Sequence, residues 1–143
     1  MPNPVVSKAS TVWNGDLFTG KGSTSLDSSG AASFDVEWNA RAEGSDRTTT
    51  PEELLAAAHA TCYSMALSNE LKKNDTPPTQ LNTTAEVTFV AGTGITGIHL
   101  TVDAQVEGID ADGFATIAEG AKTGCPVSQA LAATEITLTA NLA

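Results

Sequence analysis

The segment Thr50-Pro51-Glu52-Glu53-Leu54-Leu55-Ala56-Ala57-Ala58-His59-Ala60-Thr61-Cys62-Tyr63-Ser64-Met65-Ala66-Leu67 opens with strong signals for a helix start. Thr50 is a good N-cap, Pro51 suits the first helical position, and Glu53 follows Thr50 at capping-box spacing. The helix so predicted runs to about Lys73, where Asn74-Asp75-Thr76-Pro77-Pro78 stops it. Its middle is apolar or small on every side. A helix that is apolar all round must be buried all round. A sheet covers only one face, so the remaining faces need further helix or a second subunit, and we expect a homodimer.

The flanks read as β structure. Val5 to Trp13 is the first expected strand, with Asn14-Gly15 as a hairpin signal and Leu17 to Leu26 as the return strand. Asp27-Ser28-Ser29-Gly30 is the next turn. Phe34, Val36, Trp38 and Ala40 then alternate with Asp35, Glu37, Asn39 and Arg41, the pattern of a half-buried strand. Beyond the long helix, Thr83–Val90 and Ile98–Glu107 should pair antiparallel across a glycine-rich link from Gly92 to Gly97. Asp110 or Asp112 can cap a helix carrying Phe114, Ile117, Ala118 and Ala121, ended by Gly124. Cys125 caps a further helical turn with Pro126 at its first position, and Glu135–Leu142 closes the chain as a strand. The expected class is α+β, in one domain spanning residues 1–143.

Composition narrows the functions. The 143 residues are 41% hydrophobic and carry a formal charge of −10 with only seven lysines and arginines. Such a chain should be globular, and it is a poor ligand for nucleic-acid phosphates or anionic membranes, so neither partner is expected. Met1-Pro2-Asn3-Pro4-Val5-Val6 lacks the basic and apolar regions of a secretory signal, and no apolar run is long enough to cross a bilayer. We expect a cytoplasmic protein. In a reducing compartment, a pair of thiols is more often reactive or metal-binding than a permanent staple.

Cys62 and Cys125 are the only cysteines. Both fit the role of small buried hydrophobes, common for free cysteine. They also fit a thiol enzyme, with Cys125 at a helix N-terminus where a thiolate is favoured. A peroxidase cysteine needs a thiolate, a cation or donor to hold the peroxide, and a second thiol to capture the sulfenic acid. Arg41 and Arg47 are the only arginines. Arg47 sits in a polar loop and should be solvated. Alternation alone places Arg41 on the exposed strand face with Asp35, Glu37 and Asn39. Glu52 and Glu53 suit the helix dipole, and one of them is free to orient an arginine. His59 and Cys62 share a helix face and with Cys125 could form part of a zinc site, but a fourth ligand is missing and His99 lies in a strand. Ser64 and Ser128 have no evident base and acid partners, which argues against a serine hydrolase.

Several of these motifs together resemble the OsmC/Ohr family, in its OsmC-like branch. Thr50-Pro51-Glu52-Glu53-Leu54 with Ala57 to Ser68 is similar to the family's central helix. Lys122-Thr123-Gly124-Cys125-Pro126-Val127-Ser128-Gln129-Ala130-Leu131 is similar to its second-cysteine motif. Trp13-Asn14-Gly15-Asp16, Gly20-Lys21-Gly22 and Thr134-Glu135-Ile136-Thr137-Leu138 resemble its hairpin and last strand, whereas the Ser45-Asp46-Arg47-Thr48-Thr49 loop departs from the pattern.

The resemblance implies an OsmC-like α+β fold with antiparallel β units, a long buried central helix and an intertwined homodimer. It implies thiol-dependent reduction of organic hydroperoxides, with Cys62 peroxidatic and Cys125 resolving. Arg41 aligns with the active-site arginine and Glu52 with the glutamate that pairs with it, overriding the alternation reading of Arg41. The implied cycle runs through a Cys62 sulfenic acid and a Cys62–Cys125 disulfide, reduced by an external dithiol of the lipoyl type. No metal or organic cofactor is implied. Leu55, Met65 and Phe or Trp residues would line an apolar site for an alkyl tail. Two other readings compete: a non-catalytic protein binding an apolar small molecule, and a zinc-binding structural protein.

Overall fold

A computed structural model describes residues 2–143. The chain divides into two compact units, one ending at Pro51 and one spanning Glu52–Ala143.

In the first unit, β1 (Ser10–Asn14), β2 (Lys21–Ser25) and β3 (Ser33–Val36) form an antiparallel sheet in that order. The first strand starts at Ser10 rather than Val5, and Val5 and Val6 stand exposed before it. Asn14-Gly15 does open a hairpin, but its loop is wider than two residues, because Asn14 pairs with Lys21. The Asp16 carboxylate organises that loop by accepting hydrogen bonds from the Phe18 and Thr19 N–H groups at 2.8 and 3.0 Å and from the Thr19 hydroxyl. Gly20 is required here, since a Cβ would overlap the carbonyl oxygens of Asp16 and Asn14.

The strand expected through Ala40 and Arg41 ends at Val36. Trp38–Glu43 is instead a short helix, α1. Ala40, Arg41 and Ala42 are good helix formers, and so short an apolar alternation does not exclude a helix turn. Gly44, at φ 89°, ends α1 by donating its N–H to the Ala40 carbonyl at 3.0 Å. Arg41 therefore lies in the last turn of a helix, where a cation suits the dipole, and strand parity says nothing about where it points.

The long helix α2 (Pro51–Lys73) begins and ends where its signals place it. The strands β4 (Pro78–Val90) and β5 (Gly94–Val106) pair antiparallel across a turn at residues 91–93 that is tighter than the expected link. Asp110 caps α3 (Ala111–Gly124), accepting from the Gly113 N–H at 2.7 Å. A short helix α4 (Pro126–Ala130) follows, with Cys125 at the N-cap. The last strand, β6 (Ile136–Leu142), joins β5 in parallel, giving the order β4-β5-β6. A parallel neighbour needs a crossover, and α3 and α4 provide it.

The inward side chains Leu100, Val102 and Ala104 of β5 meet Tyr63, Leu67 and Leu71 of α2, Phe114, Ala118 and Ala121 of α3, and Cys125. Along α2, His59, Tyr63, Leu67 and Leu71 recur every fourth residue and are fully buried. The expectation of burial all round is not met within one chain: Ala57, Ala58 and Thr61 are exposed, and Met65 is 68% exposed.

Candidate active site

α2 carries Cys62 one helical turn beyond His59, and the crossover carries Cys125 one turn before Ser128. Tertiary packing brings the four together. Cys62 is half-buried against the core, and Cys125 is fully buried within it. Both cysteines are free. The Cys62 thiol is within hydrogen-bonding reach of the Cys125 side chain and of the Val127 backbone N–H in the first turn of α4. Partial burial pushes the Cys62 thiol above its ordinary value of 9.0, the Cys125 side chain pushes the same way, and the Val127 N–H pulls it back by favouring the thiolate. Two thiols remote in sequence and adjacent in space are what disulfide chemistry needs.

His59 is fully buried, and its Nε2 lies 2.7 Å from the Ser128 hydroxyl oxygen. Its Nδ1 is buried with no partner among the described residues. Burial holds the imidazole below its ordinary 6.5, so it is neutral at pH 7. Sequence reasoning found no base beside Ser128, and this corrects it. The signal was there: His59 precedes Cys62 by the same step by which Ser128 follows Cys125. The pair is still not a hydrolytic triad, because no acid among the described residues orients the imidazole and Ser128 is only 5% exposed.

Tyr63 completes the inner wall. Its hydroxyl donates to the Ala118 carbonyl at 3.0 Å, and burial, then the charges of Glu119 and Cys125, push its phenol up.

The zinc reading finds no cage. His59 Nε2 is held by Ser128, and the His99 nitrogens lie 2.6 and 3.0 Å from the hydroxyls of Thr137 and Thr139. Among the described residues, no three His, Cys, Asp or Glu side chains come together to hold a metal. Arg41 lies half-buried in the first unit. Glu52 is buried in the first turn of α2 while Glu53 is exposed, and Glu52 precedes Cys62 by about 15 Å of helix. Leu55 is half-buried on α2, and Met65 lines a shallow groove with Ser64, Ser68, Lys72 and Leu81. No helix among the described residues is long and apolar enough to cross a membrane.

Comparison with known proteins gives the family and the fold. Residues 44–141 match the family model described as OsmC-like protein. The chain is 46% identical over 134 residues, 92% of either chain, to Peroxiredoxin OsmC of Escherichia coli (strain K12), and equally to that of Shigella flexneri. Two crystal structures share the fold at a TM-score of 0.73. An organic hydroperoxide resistance protein from Elizabethkingia anophelis is 22% identical, with all of both chains covered. An OsmC like protein from Mycoplasma pneumoniae is 13% identical, with 96% of this chain and 97% of that one covered.

Proposed function

The chain belongs to the OsmC-like family, and on that footing we propose that this peroxidase reduces organic hydroperoxides to alcohols, with Cys62 as the attacking thiol and Cys125 as its resolving partner. The observation that carries the reading is the thiol-to-thiol contact between Cys62 on α2 and Cys125 at the head of α4. Cys62 attacks the distal peroxide oxygen and an alcohol leaves. The resulting sulfenic acid condenses with Cys125, and an external dithiol, of the lipoyl type, reduces the disulfide. No metal or organic cofactor takes part. Arg41, steadied by Glu52, favours the Cys62 thiolate and orients the peroxide; the family resemblance of Asn39–Gly44 and of the α2 start supports these two roles.

The working form is a homodimer in the cytoplasm, where reducing partners keep the thiols free. Support for the dimer lies in what one chain leaves uncovered. Ala40 is the only buried residue described in the first unit, and Val12, Leu17 and Phe18 are exposed there at 66%, 48% and 71%. On α2 the small and apolar side chains of Ala57, Ala58 and Met65 are exposed as well. Apolar surface of this extent calls for a partner.

Titrating the reduced protein with cumene hydroperoxide, with free-thiol counting and intact mass, tests the chemistry. Both thiols should disappear with a mass loss of two hydrogens, and the Cys62→Ser variant should lose none. Survival of both thiols in excess peroxide would sink the proposal and bring forward a non-catalytic protein that binds an apolar small molecule.

A further inference from the structure

We infer that the buried His59–Ser128 hydrogen bond is a register clamp, which holds α4 in the alignment that brings Cys125 to Cys62 and so sets how fast the Cys62 sulfenic acid is resolved. The inference rests on the peroxidase reading and deepens it.

The contacts form two rungs. His59 meets Ser128 and Cys62 meets Cys125, so one turn forward on α2 is matched by one turn backward on α4. Slipping either segment by one residue would break both rungs together. Besides the His59 bond, α4 is held by buried Cys125 at its N-cap and by Val127, half-buried against the core. It is five residues long, too short to be stable alone, and no side chain caps its first turn. Ser128 is its only buried residue, and that residue is the one bonded to His59.

The pair is also expensive as mere packing. His59 Nδ1 has no partner among the described residues, and an orphaned buried polar group destabilises a fold that an apolar pair of similar size would not. A polar contact kept at that disadvantage fits a role in alignment, as buried polar groups do where register must be unique.

Register bears on one step. Cys125 Sγ attacks the sulfur of Cys62–S–OH, the S–S bond forms, and the S–O bond breaks. The oxygen leaves as water with its own proton and the one from Cys125. A second peroxide competes by oxidising the sulfenic acid to sulfinic acid. A loosened α4 slows the first route and leaves the second alone. Peroxide reduction at Cys62, carried by α2, is largely retained.

The experiment uses the full-length protein in rapid-quench reaction with cumene hydroperoxide, read by intact mass. Ser128→Ala should keep its kcat/KM for peroxide, form the disulfide roughly five-fold more slowly, and accumulate sulfinic acid at Cys62. Ser128→Thr, which keeps the hydroxyl, should restore the rate, and His59→Gln added to Ser128→Ala should slow it no further. Leu71→Ala, further along α2 and destabilised as much or more, should resolve at the native rate. Native resolution in Ser128→Ala, or equal slowing in Leu71→Ala, overturns the clamp. Should Ser128→Ala not fold, His59→Gln alone carries the same comparison. Native protein that keeps both thiols under peroxide refutes the peroxidase reading instead, so the two failures are distinct.

Discussion

Replacing Arg41 with alanine separates two opposing influences on Cys62. Partial burial and the Cys125 side chain hold Cys62 toward the neutral thiol, and only the Val127 N–H opposes them. A thiol titrating at the ordinary 9.0 is about 1% thiolate at pH 7, and these surroundings place Cys62 lower still. A peroxidase working near neutrality needs a compensating charge, which we assign to Arg41. A guanidinium brought to about 4 Å of a thiolate would contribute roughly 4 kcal/mol at an effective dielectric near 20, or about 3 pKa units. A shift of that size raises the thiolate share at pH 7 by well over tenfold. Arg41→Ala should then lower kcat/KM for peroxide by about 50-fold or more at pH 7, and the deficit should shrink as pH rises past 9.0 and the thiol ionises unaided. The direct assay is iodoacetamide alkylation of Cys62 against pH, assigned by peptide mass. The native midpoint should fall below 9.0 and the Arg41→Ala midpoint above it. Equal midpoints would remove Arg41 from the mechanism. A variant midpoint below 9.0 would refute the burial argument itself.

Leu67, fully buried between Tyr63 and Leu71, tests the seating of α2: Leu67→Ala should lower unfolding free energy by about 3 kcal/mol in urea, and a loss under about 1 kcal/mol would contradict the packing. Stability should also fall at alkaline pH. Cys62 and Tyr63 are both pushed above their ordinary 9.0 and 10.0, so each favours the fold fully below its ordinary value and loses that contribution as pH rises through the raised one. The urea midpoint should decline above about pH 9, and Tyr63→Phe should blunt the decline; an unchanged midpoint up to about pH 11 would refute the burial of these groups.

What the sequence made readable was local chemistry. Thr50, Pro51 and Asp110 announce their helix ends through side chains that act within a few residues, and each end lies where they place it. Trp38 to Glu43 misled because alternation over so few residues fits strand and helix alike, and Gly44 settles the matter only through a backbone angle that letters do not show. The width of the first hairpin was hidden in Asp16, whose carboxylate binds the loop that Asn14-Gly15 opens. At the site, Cys62 and Cys125 stood out as the only thiols, but their contact depends on how α4 packs on α2. No spacing reveals that packing. The Ser128 partner of His59 was missed for the same reason, since the two are linked only through tertiary structure.

The parallel pairing of β6 with β5 bears on when the site comes into being. Antiparallel β4 and β5 can zip from their turn as soon as both are made, and α2 precedes them. Cys125 lies in the crossover, which packs on α2 through Phe114, Ala118 and Ala121 and is held at its far end when β6 docks. Contacts between distant segments form late, because loop closure must come first. On the ribosome, α2 and its Cys62 are therefore complete while the partner thiol is still unmade or undocked. A sulfenic acid formed in that interval has no resolving thiol within the chain. The last seven-residue strand thus works as a latch, and the peroxidatic cysteine of the newborn chain depends on reductants in its surroundings until that latch closes.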